Sequence, residues 1–210
     1  MKKKLVLAIL FILPIVVYLF FASGVNNFGK LPTLTENILD VSTVDKRNTF
    51  KGKITILGFL GNDVENRKGN AFNLNQKIYK RFYEFKDFQF VMLVLNGNED
   101  KVAELKAELG NLTDIRKWNF VYTTEEQIKD VFKGLKTDLS LNENLSTSYV
   151  FIIDKEGNLR GRDKDEDEGT KFGFNTTSVA DLNNKMEDDV KIILAEYRLA
   201  LKRNNANRKN

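Results

Sequence analysis

The stretch F-Q-F-V-M-L-V-L, from Phe88 to Leu95, fits few environments. A strand with one wet face alternates apolar and polar side chains, and this one does not. It therefore reads as a central strand covered on both faces, as parallel sheets require. The flanking segments supply the rest of such a sheet. A strand is expected over Ile54 to Leu60, then a helix from about Asn70 to Phe85 with Phe72, Ile78, Phe82 and Phe85 near one face. After the central strand, Asn98 caps a helix that turns Val102, Leu105 and Leu109 inward and stops at Gly110. Trp118 to Tyr122 forms a short strand, and Thr123-Thr124-Glu125-Glu126 offers a capping box to a helix through Leu135, with Ile128, Val131, Phe132 and Leu135 on its core face. A loop from Leu139 to Ser148 leads to a strand at Tyr149 to Ile153, a turn at Asp154 to Gly157 and a second strand at Asn158 to Gly161. An amphipathic helix opening at Ser178 closes the chain near Lys202, its basic last turn matching the helix dipole. The order βαβαβαββα predicts an α/β fold around a central mixed sheet.

Composition removes whole classes of chemistry. With Cys 0 there is no disulfide, thiolate nucleophile or zinc-thiolate site, and with His 0 the commonest general base and transition-metal ligand are missing. The count of 16 Phe suits a β-containing core. The net charge of +4 gathers at Lys2, Lys3 and Lys4 and at the C-terminal Arg198, Lys202, Arg203, Arg208 and Lys209, so the body of the chain is mildly acidic. It has no basic face for phosphate, and no nucleic-acid partner is expected.

Ahead of the domain, Leu5 to Phe21 is an uncharged, mostly apolar run behind three lysines. At ~17 residues it sits at the lower edge of what spans a bilayer as a helix. It also exceeds the ~7 to 15 residues usual for a cleaved signal. The expectation is an uncleaved anchor over residues 1–22, with the N-terminus cytoplasmic and the rest beyond a bacterial inner membrane in the periplasm; the alternative is a protein secreted after signal cleavage. Residues 23–49 then read as a juxtamembrane linker, with Ile38, Val41 and Val44 touching the core, residues 50–203 as the domain, and residues 204–210 as a flexible tail.

From Phe50 to Leu201 the chain resembles the thioredoxin superfamily, and within it the Sco/SenC proteins that deliver copper to cytochrome oxidase. The resemblance rests on F-K-G-K-I-T-I-L-G-F, on F-V-M-L-V-L, and on S-T-S-Y-V-F-I-I-D-K-E-G-N-L at the hairpin. It implies a thioredoxin-like three-layer domain behind one transmembrane helix. It also locates the family's site residues. The C-x-x-x-C pair would fall in Asn62 to Lys68, the copper-binding histidine at Ser146 and the cis-proline near Ser148, and every one of these positions is substituted. Neither redox chemistry nor copper carries over, so no cofactor, metal or catalytic residue is expected.

What remains is a candidate partner-binding loop of Asn62, Asp63, Glu65, Asn66, Arg67 and Lys68, with Ser146 and Ser148 beside it. The plainer reading is a solvated connector. Asp63 and Glu65 alone would bind only hard cations, and weakly. The acidic run Asp163 to Gly169 departs from a calcium-loop pattern, with Glu168 where glycine is needed and Phe174 where a carboxylate is, and reads as a charged hairpin excursion. The expected function is a non-catalytic binding or assembly factor of the cell envelope or respiratory chain, with a protein partner. The alternatives are a cysteine-independent enzyme using the 62–68 loop, or a purely structural envelope protein.

Overall fold

The computed structural model describes residues 2–23 and 29–207. Helix α1 (Lys2–Ser23) lies where the sequence places the anchor. Among the described residues, no helix is long and apolar enough to cross a membrane.

The domain is built on a seven-stranded sheet. Its strands in chain order are β1 (Thr33–Thr35), β2 (Ile54–Gly61), β3 (Phe88–Leu95), β4 (Trp118–Thr123), β5 (Tyr149–Ile153) and β6 (Leu159–Arg160). A hairpin of β7 (Arg162–Asp165) and β8 (Gly169–Lys171) follows, and β9 (Phe174–Asn175) returns to the sheet. The spatial order is β1-β6-β5-β2-β3-β4, with β9 also on β5. The pairs β2–β3 and β3–β4 are parallel, whereas β2–β5 and β5–β6 are antiparallel. This is the mixed sheet of a thioredoxin-like α/β domain.

Period-two alternation divides the core. On one face, Ile54, Ile56, Phe90, Met92, Val150 and Ile152 pack under α2 (Lys68–Leu74), α3 (Lys80–Phe82), α4 (Glu99–Gly110) and α7 (Glu187–Asn207). On the other, Leu57, Phe59, Val91, Leu93, Phe151 and Ile153 pack under α5 (Glu125–Gly134) and the segment around Ile38, Val41 and Phe50. β3 is buried along nearly its whole length, as its unbroken apolar run requires.

Several local expectations change. The stretch assigned to a linker joins the domain from Leu31 onward, because Leu31, Ile38 and Val41 are buried and β1 pairs with β6. The first helix starts at Lys68, earlier than Asn70, and passes through a π turn at Asn75–Tyr79. Phe85 is exposed, since the helix ends at Phe82 before the face on which Phe85 would be covered. Asn98 makes no side-chain cap; its amide instead donates to Asn62 Oδ1 and to the Leu95 carbonyl, each at 3.0 Å. The capping box forms one residue later than read, between Thr124 and Gln127. At the closing helix Ser178 does cap, accepting from the Asp181 N–H at 3.2 Å, before α6 (Val179–Asp181), a second π turn (Leu182–Met186) and α7. Residues 204–207 continue that helix; the remainder of the expected tail, 208–210, lies outside the described residues.

The acidic run forms the β7–β8 hairpin, and Lys185 on the second π turn ties it down through Asp165 and Asp167, both at 2.6 Å. Arg162 reaches Asp189 at 2.9 Å, and the wholly buried Lys171 pairs with Glu168 at 2.6 Å and Asp181 at 3.2 Å. Burial pushes the Asp165 carboxyl upward, but the Lys185 ammonium and the N–H groups of Asp167 and Glu168 outweigh it, leaving the pKa below its ordinary value.

Candidate functional site

β2 delivers the chain to the candidate loop through Gly61, whose φ of 54° an L residue seldom adopts. A Cβ there would stand 2.1 Å from the Asn144 carbonyl oxygen, so only glycine permits the contact with the loop before β5. Two backbone bonds hold the contact, Asn62 N–H to the Asn144 carbonyl at 2.8 Å and Thr147 N–H to the Phe59 carbonyl at 3.1 Å. Val64, at the centre of the loop, is fully buried and anchors it in the core.

Asp63 and Ser146 are far apart in sequence and meet beneath this junction. Ser146 is wholly buried and Asp63 nearly so. The Ser146 hydroxyl lies 3.1 Å from Asp63 Oδ2 and 3.1 Å from Asn142 Oδ1. It has one proton, and the carboxylate is the stronger acceptor. Arg67 Nε donates to Ser146 Oγ at 3.1 Å and stands 3.6 Å from Asp63 Oδ2, while Asn66 Nδ2 donates to Asp63 Oδ1 at 2.6 Å. Both Asp63 oxygens are thus satisfied internally.

The other expected residues divide. Lys68 faces Glu65 at 3.0 Å, Glu108 at 3.3 Å and Glu104 at 3.6 Å, spanning from the loop to α4. Hydrogen bonding to Glu65, with Glu108 adding to it, raises its pKa. Asn62, Glu65 and Asn66 are exposed. Ser148 is not part of the cluster; its carbonyl accepts from the Thr176 N–H at 2.9 Å and the Thr176 hydroxyl at 2.6 Å. Sequence reasoning missed Asn142, whose side chain braces the Ser146 N–H at 2.9 Å and the Asn144 N–H at 3.0 Å, and read Asn98 only as a helix cap, not as a support for Asn62. The only local signals were the L-G-N and N-E-N turn compositions.

Chemically the cluster is closed. Copper of the Sco type calls for thiolate or imidazole donors, and the groups here are a carboxylate, a hydroxyl and a guanidinium already bound to one another, so the residues do not fit it. Glu65 turns away to Lys68 and does not join Asp63 in a cation site. Among the described residues, no three Asp, Glu, His or Cys side chains gather as a metal site. Ser146 donates to the Asp63 carboxylate, but it has no solvent contact and Arg67 already occupies its oxygen, so no substrate reaches it as placed. A wider open depression of about 350 Å³ lies between the hairpin and α6, lined among others by Tyr149, Asp167, Asp181 and Lys185, and its charges are paired within the hairpin network.

No family model matches the sequence, and neither does any curated protein. Solved structures similar to the chain include a thiol:disulfide interchange protein of the thioredoxin family from Chlorobium tepidum, 18% identical over 79% of this chain and 95% of that one, with a TM-score of 0.44. The soluble domain of Sco1 from Bacillus subtilis is 16% identical over 77% of this chain and 90% of its own, with a TM-score of 0.40. Copper-bound ScoI from Arabidopsis thaliana is 18% identical over 68% and 86%, with a TM-score of 0.41. By its own strand order the chain is a thioredoxin-like domain, without the cysteine pair or the histidine of the Sco pattern.

Proposed function

We propose that this chain is a non-catalytic binding factor of the cell envelope or respiratory chain, a thioredoxin-like domain tethered outside the cytoplasm that holds a protein partner through the 62–68 loop. The observation that carries the reading is the closed Asp63–Ser146–Arg67 cluster, which occupies the place where the resemblance would put a cysteine pair and a histidine. Its groups are engaged with one another, and Asn62, Glu65 and Asn66 stay exposed on a firmly seated loop while being steadied by Asn98, Lys68 and Asp63 respectively. A rigid loop with exposed polar side chains presents a fixed pattern to a partner at little ordering cost.

The tether rests on α1. From Ile9 to Tyr18 its apolar side chains are exposed all round, and a helix apolar on every side calls for apolar surroundings. Three lysines precede it, which favours a cytoplasmic N-terminus and a domain beyond the inner membrane.

The test is site-specific photocrosslinking in intact membranes, with the crosslinker at Asn66 and, as a control, at the exposed Asp163. One protein captured from position 66 and not from 163 is the expected outcome. Identical products from both positions would overturn the loop assignment. Disulfide reduction or stoichiometric copper retention by the purified chain would overturn the non-redox reading.

A further inference from the structure

Two buried hydrogen-bond donors near the candidate loop have no partner, Trp118 Nε1 and Asn70 Nδ2. Such groups are rare in native interiors, because leaving one unmade costs roughly 1–3 kcal/mol. Both residues line one small cavity between α2 and the sheet. Trp118 is only 5% exposed, with its ring packed on Phe90 at 4.6 Å between centroids. The cavity measures about 20 Å³. A site needs about 10–15 Å³ to hold one water molecule.

Gly58 lies on the sheet floor of the cavity, where a Cβ would meet Met92 Sδ at 2.5 Å and oblige that side chain to shift. Arg67, Asn70, Trp118, Thr147 and Thr176 supply the polar side chains of the wall, and no carboxylate lines it. The two groups left without a partner there are both N–H donors, so an occupant that satisfies them must accept hydrogen bonds, and it can be no larger than about one heavy atom.

We propose that this cavity is a binding site for a compact hydrogen-bond acceptor, a water oxygen or a halide-sized anion, held by the Trp118 indole N–H and the Asn70 amide. The occupant bridges α2, which carries the C-terminal side of the candidate loop, to β4 at the edge of the sheet. The cavity adjoins the Asp63–Ser146–Arg67 cluster through Arg67, which lines both, and its occupancy does not depend on the loop's having a protein partner.

The chain contains a single tryptophan, so its indole N–H gives one NMR signal that needs no further assignment. The experiment uses the full chain in micelles with ¹⁵N-labelled tryptophan, compared in bromide and in gluconate at equal ionic strength, together with water-to-indole cross-relaxation. A saturable shift with bromide assigns the acceptor to an anion. A bromide-independent signal with a persistent water cross-peak assigns it to water. Absence of both overturns the proposal. Asn70→Leu, which fills the space with an apolar group, is expected to abolish whichever response is seen, and survival of the response in that variant also overturns it. A crystal structure of the unaltered chain tests the proposal independently of that variant. One atom within hydrogen-bonding distance of Trp118 Nε1 is expected there, whereas an empty cavity, or Trp118 donating directly to Asn70 Oδ1, refutes it.

Discussion

Arg160 is the residue whose loss should cost the domain most for a single polar group. It lies on β6, 7% exposed, and donates from Nε to the Leu31 carbonyl at 2.9 Å. Its Nη1 reaches Asp154 at 3.2 Å and its Nη2 reaches Glu196 on α7 at 2.8 Å. Glu196 in turn accepts from the Leu31 N–H at 2.6 Å. One guanidinium thus joins the entry of the chain, the central hairpin and the closing helix. Burial works against its charge, and Glu196 and then Asp154 outweigh that effect, so its pKa is raised. Arg160→Met keeps the volume and removes the charge, stranding Asp154 and Glu196. Removing one partner of a buried pair costs about 3–5 kcal/mol. For a domain of this size each kcal/mol lowers Tm by roughly 2–4 °C, so a fall of about 6–20 °C is expected. Differential scanning calorimetry of the full chain in mild detergent, repeated with Glu196→Gln and with the double variant, measures the loss and the coupling between the two residues. A Tm within about 2 °C of the parent would refute the argument, because it would mean that the network is solvated in practice and worth only what a surface pair is worth.

Three further outcomes are expected. Gly61→Ala places a Cβ against the Asn144 carbonyl in a left-handed conformation, and should lower stability by more than about 2 kcal/mol in urea unfolding; an unchanged midpoint would show that the two loops part without cost. Ser146→Ala removes the hydroxyl donor from the buried Asp63 and should cost about 1–3 kcal/mol, with increased amide exchange across residues 62–67; unchanged exchange would remove the cluster from its role in seating the loop. The lowered pKa of Asp165 means that its contribution is present above the ordinary carboxylate pKa and is lost as pH falls through the lowered value, while the buried Asp189, its pKa raised by burial, acts in the opposite sense. Amides of the β7–β8 hairpin should therefore hold their protection down to the ordinary carboxylate pKa of about 4 and lose it as pH falls further, and Asp165→Asn should leave them poorly protected on both sides; protection in the parent that does not fall below about pH 4 would refute the ionic tether.

How much of this was legible in the sequence depends on the range over which each signal acts. β3, α5 and the Tyr149–Ile153 strand were readable because unbroken apolar runs and period-3.6 faces are local patterns. β1 was not, since T-L-T is short, lies beside Pro32 and becomes a strand only by pairing with β6 across the whole domain. The spacing of Phe85 continues the helical stripe and so points to the core, but no spacing rule reveals that the helix ends at Phe82. In the candidate site, the meeting of Ser146 with the loop was suggested by the resemblance alone. Asn142, Arg160 and Lys185 act through partners distant in the chain, and a polar residue's partner leaves no periodic trace in sequence.

The backbone around the 62–68 loop distinguishes a built surface from a mere connector. Gly61 and Leu145 both stand in the left-handed region, with φ of 54° and 59°, on the two sides of one contact. For leucine that conformation costs about 1–2 kcal/mol, and a solvated connector would relax out of it. Here it persists because Leu145 is buried, the Asn62 N–H is bonded to the Asn144 carbonyl, and the Asp63–Ser146–Arg67 cluster closes beneath. The surroundings over-determine a strained junction whose outward result is one fixed placement of Asn62, Glu65 and Asn66. Strain of this kind is retained where a particular presentation matters, which weighs toward a recognition loop and is the reason for placing the crosslinker at Asn66.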